Sequence, residues 1–248
     1  GAASVTGNLL LNQHSRLIQF DLDAQAPNLA LYLPDTLQLQ NHTAIPISLR
    51  STGTVTPDAW QIETLELDSI QAVISGDGLL ERDGDEFVDS HLNATIEIAN
   101  LSPFSSWVSR PLPNQALQLS VDLDSKAGVL LIQRLELLSG DSDLSVTGRA
   151  ANPSSPTVTL AGQSQLINLA PWKRSLWPGK AGIAIKTTPA STETPVVQLI
   201  PDYPISFAAW KGFDADVSID IDNLTGLARP LEDLQLAFSL QRDGLRID

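Results

Sequence analysis

Leu117-Gln118-Leu119-Ser120-Val121-Asp122-Leu123-Asp124 carries an apolar side chain at every second position. Successive side chains of a strand point to opposite faces, so this segment has one greasy face and one wet face. The same alternation recurs in Ile18-Gln19-Phe20-Asp21-Leu22-Asp23, in Val217-Ser218-Ile219-Asp220-Ile221-Asp222 and in Leu234-Gln235-Leu236-Ala237-Phe238-Ser239-Leu240. Strands of this kind belong to antiparallel sheets with one dry side. Turn signals between strands are read at Gly76-Asp77-Gly78, Asp83-Gly84-Asp85, Asn152-Pro153 and Asp243-Gly244. Helical periodicity is rare and short. The expected class is all-β.

The pattern repeats. Asn28-Leu29-Ala30-Leu31-Tyr32, Asn100-Leu101-Ser102-Pro103-Phe104 and Asn168-Leu169-Ala170-Pro171-Trp172 each follow a strand-like stretch, and the two intervals are nearly equal. A second marker, Ile62-Glu63-Thr64-Leu65-Glu66-Leu67, returns at the same spacing as Ile132-Gln133-Arg134-Leu135-Glu136-Leu137. Both markers give a repeat of about 70 residues, the signature of an array of similar units. Each unit reads as about four strands plus a short capping helix, the helices expected near Ala26–Tyr32, Ser102–Val108 and Ala170–Trp177. Repeats that bury apolar surface only against neighbours build elongated arrays. Residues 1–172 are therefore expected to be the repeated β units. Residues 173–199 lose the pattern and hold three prolines and a Ser/Thr cluster, so they are expected to be a linker or long excursion. Residues 200–248 are expected to add a short helix over Pro204–Phe213 and strands Asp216–Leu224 and Asp233–Gln241.

Composition narrows the function. The 248 residues carry 15 Lys and Arg against 29 Asp and Glu, a net charge of −14, so no nucleic-acid partner is expected. Cysteine is absent, which excludes disulfides and thiolate metal sites. No apolar run is long enough to span a bilayer as a helix. The chain begins at Gly1 and contains no Met, and it stops within an alternating pattern, so it is expected to be a piece of something longer.

Catalytic chemistry finds no support. There is no Gly-x-Ser-x-Gly elbow, no phosphate-cradling loop and no His-x-x-x-His pair. His14, His42 and His91 are far apart and read as ordinary surface residues. Asp83-Gly84-Asp85-Glu86 and Asp141-Ser142-Asp143 hold oxygen ligands but lack the spacing of a calcium loop, and a hairpin turn accounts for them. Trp107, Trp172 and Trp210, with Tyr32, fall in the short helical segments, where an aromatic would plug the sheet edge. No enzyme, cofactor or metal is expected.

The apolar strand faces are the informative feature. In a β-sandwich they meet a second sheet. In a long curled sheet they line a greasy trough, where each buried lipid CH₂ contributes ~0.8 kcal/mol. Pattern alone gives the two equal standing. The candidate lining residues are Ile96, Ile98, Leu117, Leu119, Val121, Leu123, Leu144, Val146, Val217, Ile219, Leu234, Leu236 and Phe238.

The repeats, together with Ile200-Pro201-Asp202-Tyr203-Pro204-Ile205, Ala208-Ala209-Trp210-Lys211-Gly212-Phe213-Asp214-Ala215-Asp216-Val217 and the final Leu231–Leu240 strand with its Asp243-Gly244 turn, resemble the C-terminal portion of the AsmA family of bacterial envelope proteins. The resemblance implies an inner-membrane anchor outside this chain, a periplasmic location and a taco-shaped β-groove related to bridge-like lipid-transfer proteins. It also implies phospholipid or another acyl lipid as partner, and a role in outer-membrane lipid homeostasis. That family offers no catalytic residues to transfer. The alternative is a structural or adhesive envelope module of β-sandwich repeats, binding glycans through wet-face aromatics such as Trp60 or Tyr203.

Overall fold

The computed structural model describes residues 3–12, 14, 16–28, 46–83, 86–106, 110–151, 157–176, 214–241 and 244–247. Within them the chain is all-β, and its strands form one large, curled, unclosed and mostly antiparallel sheet. The strands are β1 (Ser4–Asn12), β2 (Leu17–Ala26), β3 (Ile47–Val55), β4 (Ala59–Ser69), β5 (Ala72–Asp83), β6 (Glu86–Ile98), β7 (Leu117–Lys126), β8 (Val129–Ser139), β9 (Ser142–Ala151), β10 (Thr157–Ser164), β11 (Ile167–Asn168), β12 (Asp214–Thr225), β13 (Leu231–Gln241) and β14 (Gly244–Ile247). Thirteen of them succeed one another across the sheet, and β11 pairs β12 beside this path.

Short turns join most of the antiparallel neighbours, while the longer stretches 27–46 and 99–116 join β2 to β3 and β6 to β7. Ala127 and Gly128 both have positive φ (50° and 74°), the backbone of a two-residue hairpin whose twist matches its strands. Between β4 and β5 the Ser69 hydroxyl accepts from Ala72 N (3.0 Å) and donates to Ala72 O (3.1 Å), closing the turn over Ile70-Gln71. The exception is β10 with β12, which run parallel. The connection between them, residues 165–213, is long enough to bring the chain back to its starting end, as a parallel pair requires. β11 keeps the register of β10 on β12, with Ser164 opposite Ile221 and Ile167 opposite Leu224. It is therefore β10 resuming after a break at Gln165-Leu166. Asp143 spans that break, accepting from Gln165 N (3.0 Å) and Leu166 N (2.9 Å). The β8–β9 hairpin turn expected at 141–143 is there, with Ser139 paired to Ser142, and the Asp143 carboxylate is taken up by these two backbone amides.

The four-strand repeat is visible in the strand starts. β3, β4 and β5 begin at Ile47, Ala59 and Ala72, and β7, β8 and β9 begin at Leu117, Val129 and Ser142, so one offset relates all three pairs. The Ile62…Leu67 and Ile132…Leu137 markers are β-bulges. Their apolar residues are spaced three and then two, so strict alternation would put each isoleucine on the opposite face from its two leucines. The register slips between Ile62 and Leu65, and again between Ile132 and Leu135. The extra residue returns Leu65 and Leu135 to the apolar face and adds local twist.

Other expectations are revised. Gly76-Asp77-Gly78 is no turn but lies inside β5. The capping segments are a 3₁₀ turn at Ser102–Ser106 and one helical turn, α1 (Lys173–Leu176), so the stretch expected as linker starts helical. Ala26 belongs to β2. The rest of Ala26–Tyr32 beyond Asn28, residues 177–199 and the helix expected at Pro204–Phe213 lie outside the described residues. The Asn-Leu markers have a local cause: Asn100 Oδ1 accepts from Ser102 N (2.9 Å) and Asn168 Oδ1 from Ala170 N (3.0 Å), so each asparagine folds the chain back at a strand end.

Leu101, Pro113, Ala215, Ile221 and Leu224 are the buried residues with apolar side chains among those described, and no large side chain is fully enclosed. Substantial contacts run almost entirely between neighbouring strands. Among the described residues no second sheet packs on the first, so the sandwich alternative is not the architecture seen. The sheet is held by its hydrogen-bond ladders and by same-face pairs across strands.

Candidate functional site

Direct cross-strand pairs trace the apolar face. One row runs from Leu9 on β1 through Phe20, Gly53, Ile62, Gly78, Leu92, Leu123, Ile132, Gly148, Leu160 and Val217 to Phe238 on β13. The next runs from Gly7 through Leu22, Ser51, Leu65, Gly76, Ala94, Val121, Leu135, Val146, Gly162 and Ile219 to Leu236. Neither row contains a charged residue. At the usual strand spacing, thirteen strands make a face about 60 Å long.

The register puts every candidate lining residue on this face. Ile96 stands opposite Leu119, Ile98 opposite Leu117, and Val121 opposite Leu135. Leu123 stands opposite Leu92, Leu144 opposite Leu137, and Val146 opposite Leu135 on the other side of β8. Val217 faces Phe238, Ile219 faces Leu236, and Leu234 faces Ile221. All thirteen are half-buried: their neighbours shield them, and none is enclosed. Several face residues are more open still, among them Leu9 (69 % exposed), Trp60 (49 %) and Leu92 (46 %). Trp60, opposite Val55 and Leu80, belongs to the apolar face, which corrects its reading as a wet-face aromatic.

Glycine in the rows admits bulk from the next strand. A Cβ on Gly53 would lie 2.7 Å from Phe20 Cζ, and one on Gly148 would lie 2.5 Å from Leu160 Cδ2. The large side chain of one strand thus folds over the glycine of its neighbour, which permits close curvature. At the end of the face near Ile70, two open clefts flank that residue. One is lined by Ala72, Val73, Ile98 and Leu117, the other by Ala26, Pro27, Pro46 and Ile47. Further along the same end, the connection from β6 to β7 crosses over: Leu101 N donates to Gln115 O (2.9 Å), Gln115 Nε2 donates to Ser139 Oγ (2.6 Å), and the Ser175 hydroxyl of α1 bonds the Pro111 carbonyl.

The opposite face is mainly polar, with Leu10 and Leu138 exposed on it. Thr52 and Thr64 share a hydrogen bond of 2.7 Å, Arg50 reaches Asp23 at 3.3 Å, and Ser239 donates to Asp216 at 2.8 Å. His91 on β6 bonds Asp124 on β7, Nδ1 to Oδ1, at 2.8 Å, and lies 3.8 Å from Asp122. That hydrogen bond is the main cause raising the imidazole pKa above its usual value, with the charges of Asp124, Asp122 and Asp77 adding to it against desolvation. Hydrogen bonds from His91 and then Gln133 hold Asp124 below the usual carboxylate value. In the sequence His91 reads as isolated. Its partners lie on the next strand, and the register joining them is set across the long connection 99–116, which no local pattern specifies.

No family model matches the chain, and no curated protein or solved structure matches it either. No helix among the described residues is long and apolar enough to cross a membrane.

Proposed function

We propose that this chain holds acyl lipid along the apolar face of its curled sheet, without catalysing a reaction. The observation that carries the reading is the pair of charge-free rows crossing twelve strands, with no packed layer above them among the described residues. Monomeric proteins rarely leave so large an apolar surface open without a binding role. A hydrocarbon chain supplies what the face lacks, because it contributes dispersion and desolvation and demands no hydrogen bonds. The resemblance to AsmA proteins supports a more specific form. In it the lipid is phospholipid, the setting is the periplasm, and the full-length protein is anchored in the inner membrane and serves outer-membrane lipid homeostasis. The adhesive, glycan-binding alternative loses one of its two wet-face candidates, since Trp60 belongs to the apolar face, while Tyr203 lies outside the described residues.

The test is organic extraction of the purified chain followed by mass spectrometry, with Leu119→Asp beside the wild type. Wild type should yield phospholipid in molar proportion. Leu119 is half-buried between Ile96 and Leu137, so Asp there should cost about 1–3 kcal/mol and leave the strand signal in place. Retained lipid should fall several-fold. Wild-type protein free of lipid after mild purification, and unable to take up phospholipid from vesicles, would overturn the reading.

A further inference from the structure

We propose that His91, Asp122 and Asp124 form a binding site for a divalent transition-metal ion of the zinc class on the polar face of the sheet. One ligand atom from each lies within 4.8 Å of the other two. The backbone sets this geometry: His91 stands directly opposite Asp124 in the β6–β7 ladder, and Asp122 is two residues away on the same face. Three further observations point to a cation.

The Asp122 side chain is about one-third exposed (31 %), yet its Oδ1 is buried and accepts no hydrogen bond. A carboxylate oxygen withdrawn from water without a donor is costly, and a metal ion would satisfy it. Arg134, opposite Asp122, turns to Glu136 at 3.9 Å, and the His91 imidazole stands 3.8 Å from Asp122 Oδ1, outside hydrogen-bond reach. Lastly, Gln133 on β8 donates to Asp124 Oδ2 (2.9 Å), orienting the carboxylate so that Oδ1 faces the imidazole. Metal sites use such outer partners to fix their ligands.

One imidazole nitrogen and two carboxylate oxygens suit zinc and its first-row neighbours. Calcium prefers a larger, all-oxygen shell. Water would complete the coordination, and a bound ion would replace the proton on the ligating imidazole nitrogen. The position gives the site a role. β6 ends the first four-strand unit and β7 begins the second, so the ion would tie two repeats at the seam where the covalent connection is long.

The experiment is calorimetric titration of the whole chain with zinc chloride at neutral pH, beside His91→Gln, Asp122→Asn and the remote control Asp21→Asn. One saturable zinc site is expected, with calcium unable to fill it. His91→Gln and Asp122→Asn should each weaken zinc at least tenfold, while Asp21→Asn leaves it unchanged. Circular dichroism without metal should show the variants folded; if His91→Gln disturbs the strands, Asp122→Asn decides. Absence of saturable zinc binding, equal binding of calcium, or a loss below tenfold in the deciding variants would overturn the proposal.

Discussion

At the residue scale, the pair His91–Asp124 makes a signed prediction. The imidazole is raised above its ordinary 6.5, so its contribution to stability is complete below that value and is lost as pH rises through the raised pKa. The Asp124 carboxyl is lowered from its ordinary 3.8, so its contribution is complete above that value and is lost as pH falls through the lowered pKa. The pair therefore stabilises most between these two ordinary values. Urea midpoints of wild type and His91→Gln, measured in chelator across pH 4 to 9, should differ most near pH 5–6. The gap should close as the pH rises past neutrality. A gap independent of pH would show that His91 stabilises through packing and not through its charge. Both side chains are well exposed, so the effect is a small one.

At the element scale, the bulges distinguish two kinds of deletion. Removing Glu63 leaves Ile62, Leu65 and Leu67 at two-residue spacing, a regular strand with its apolar face intact. Removing Ser120 from β7 instead throws Leu117 and Leu119 out of phase with Val121 and Leu123, and half of the strand must present leucine to water. Deleting Glu63 should cost less than about 2 kcal/mol, while deleting Ser120 should cost several, since each displaced side chain forfeits about 1 kcal/mol or more. Thermal unfolding of the two variants checks this. Equal losses would mean that the bulge is needed for the fold itself. The bulges are partly legible in the sequence, because an Ile-x-x-Leu-x-Leu marker that recurs one repeat later breaks alternation at the same place twice. The repeat is plain in that marker and the bulge is not, since periodicity arguments count matches and pass over a phase slip.

At the scale of the whole molecule, a sheet without a central core is a one-dimensional object. β1 is exposed along its whole length and has a partner on one side only, whereas β7, β8 and β9 are paired on both sides, and Gln115 ties the chain before β7 to Ser139 at the end of β8. Amide hydrogen exchange should therefore be fastest in β1 and slowest in β7 to β9, with protection graded between them. Uniform protection across all strands would mean the sheet opens as one cooperative unit. The all-β class, the apolar face and the four-strand repeat can be read from the amino-acid order alone, because side-chain alternation has period two and each strand declares its own phase. Three features belong to the tertiary structure. The register of β6 on β7, which assembles His91 with Asp122 and Asp124, is set across the long connection 99–116. The parallel seating of β12 on β10 depends on a crossover from residue 165 to 213. The open apolar face depends on which strands find one another. Alternation states which side of a strand avoids water, but the same pattern serves a sandwich and a trough. Only the order of pairing in a single sheet leaves this face open among the described residues.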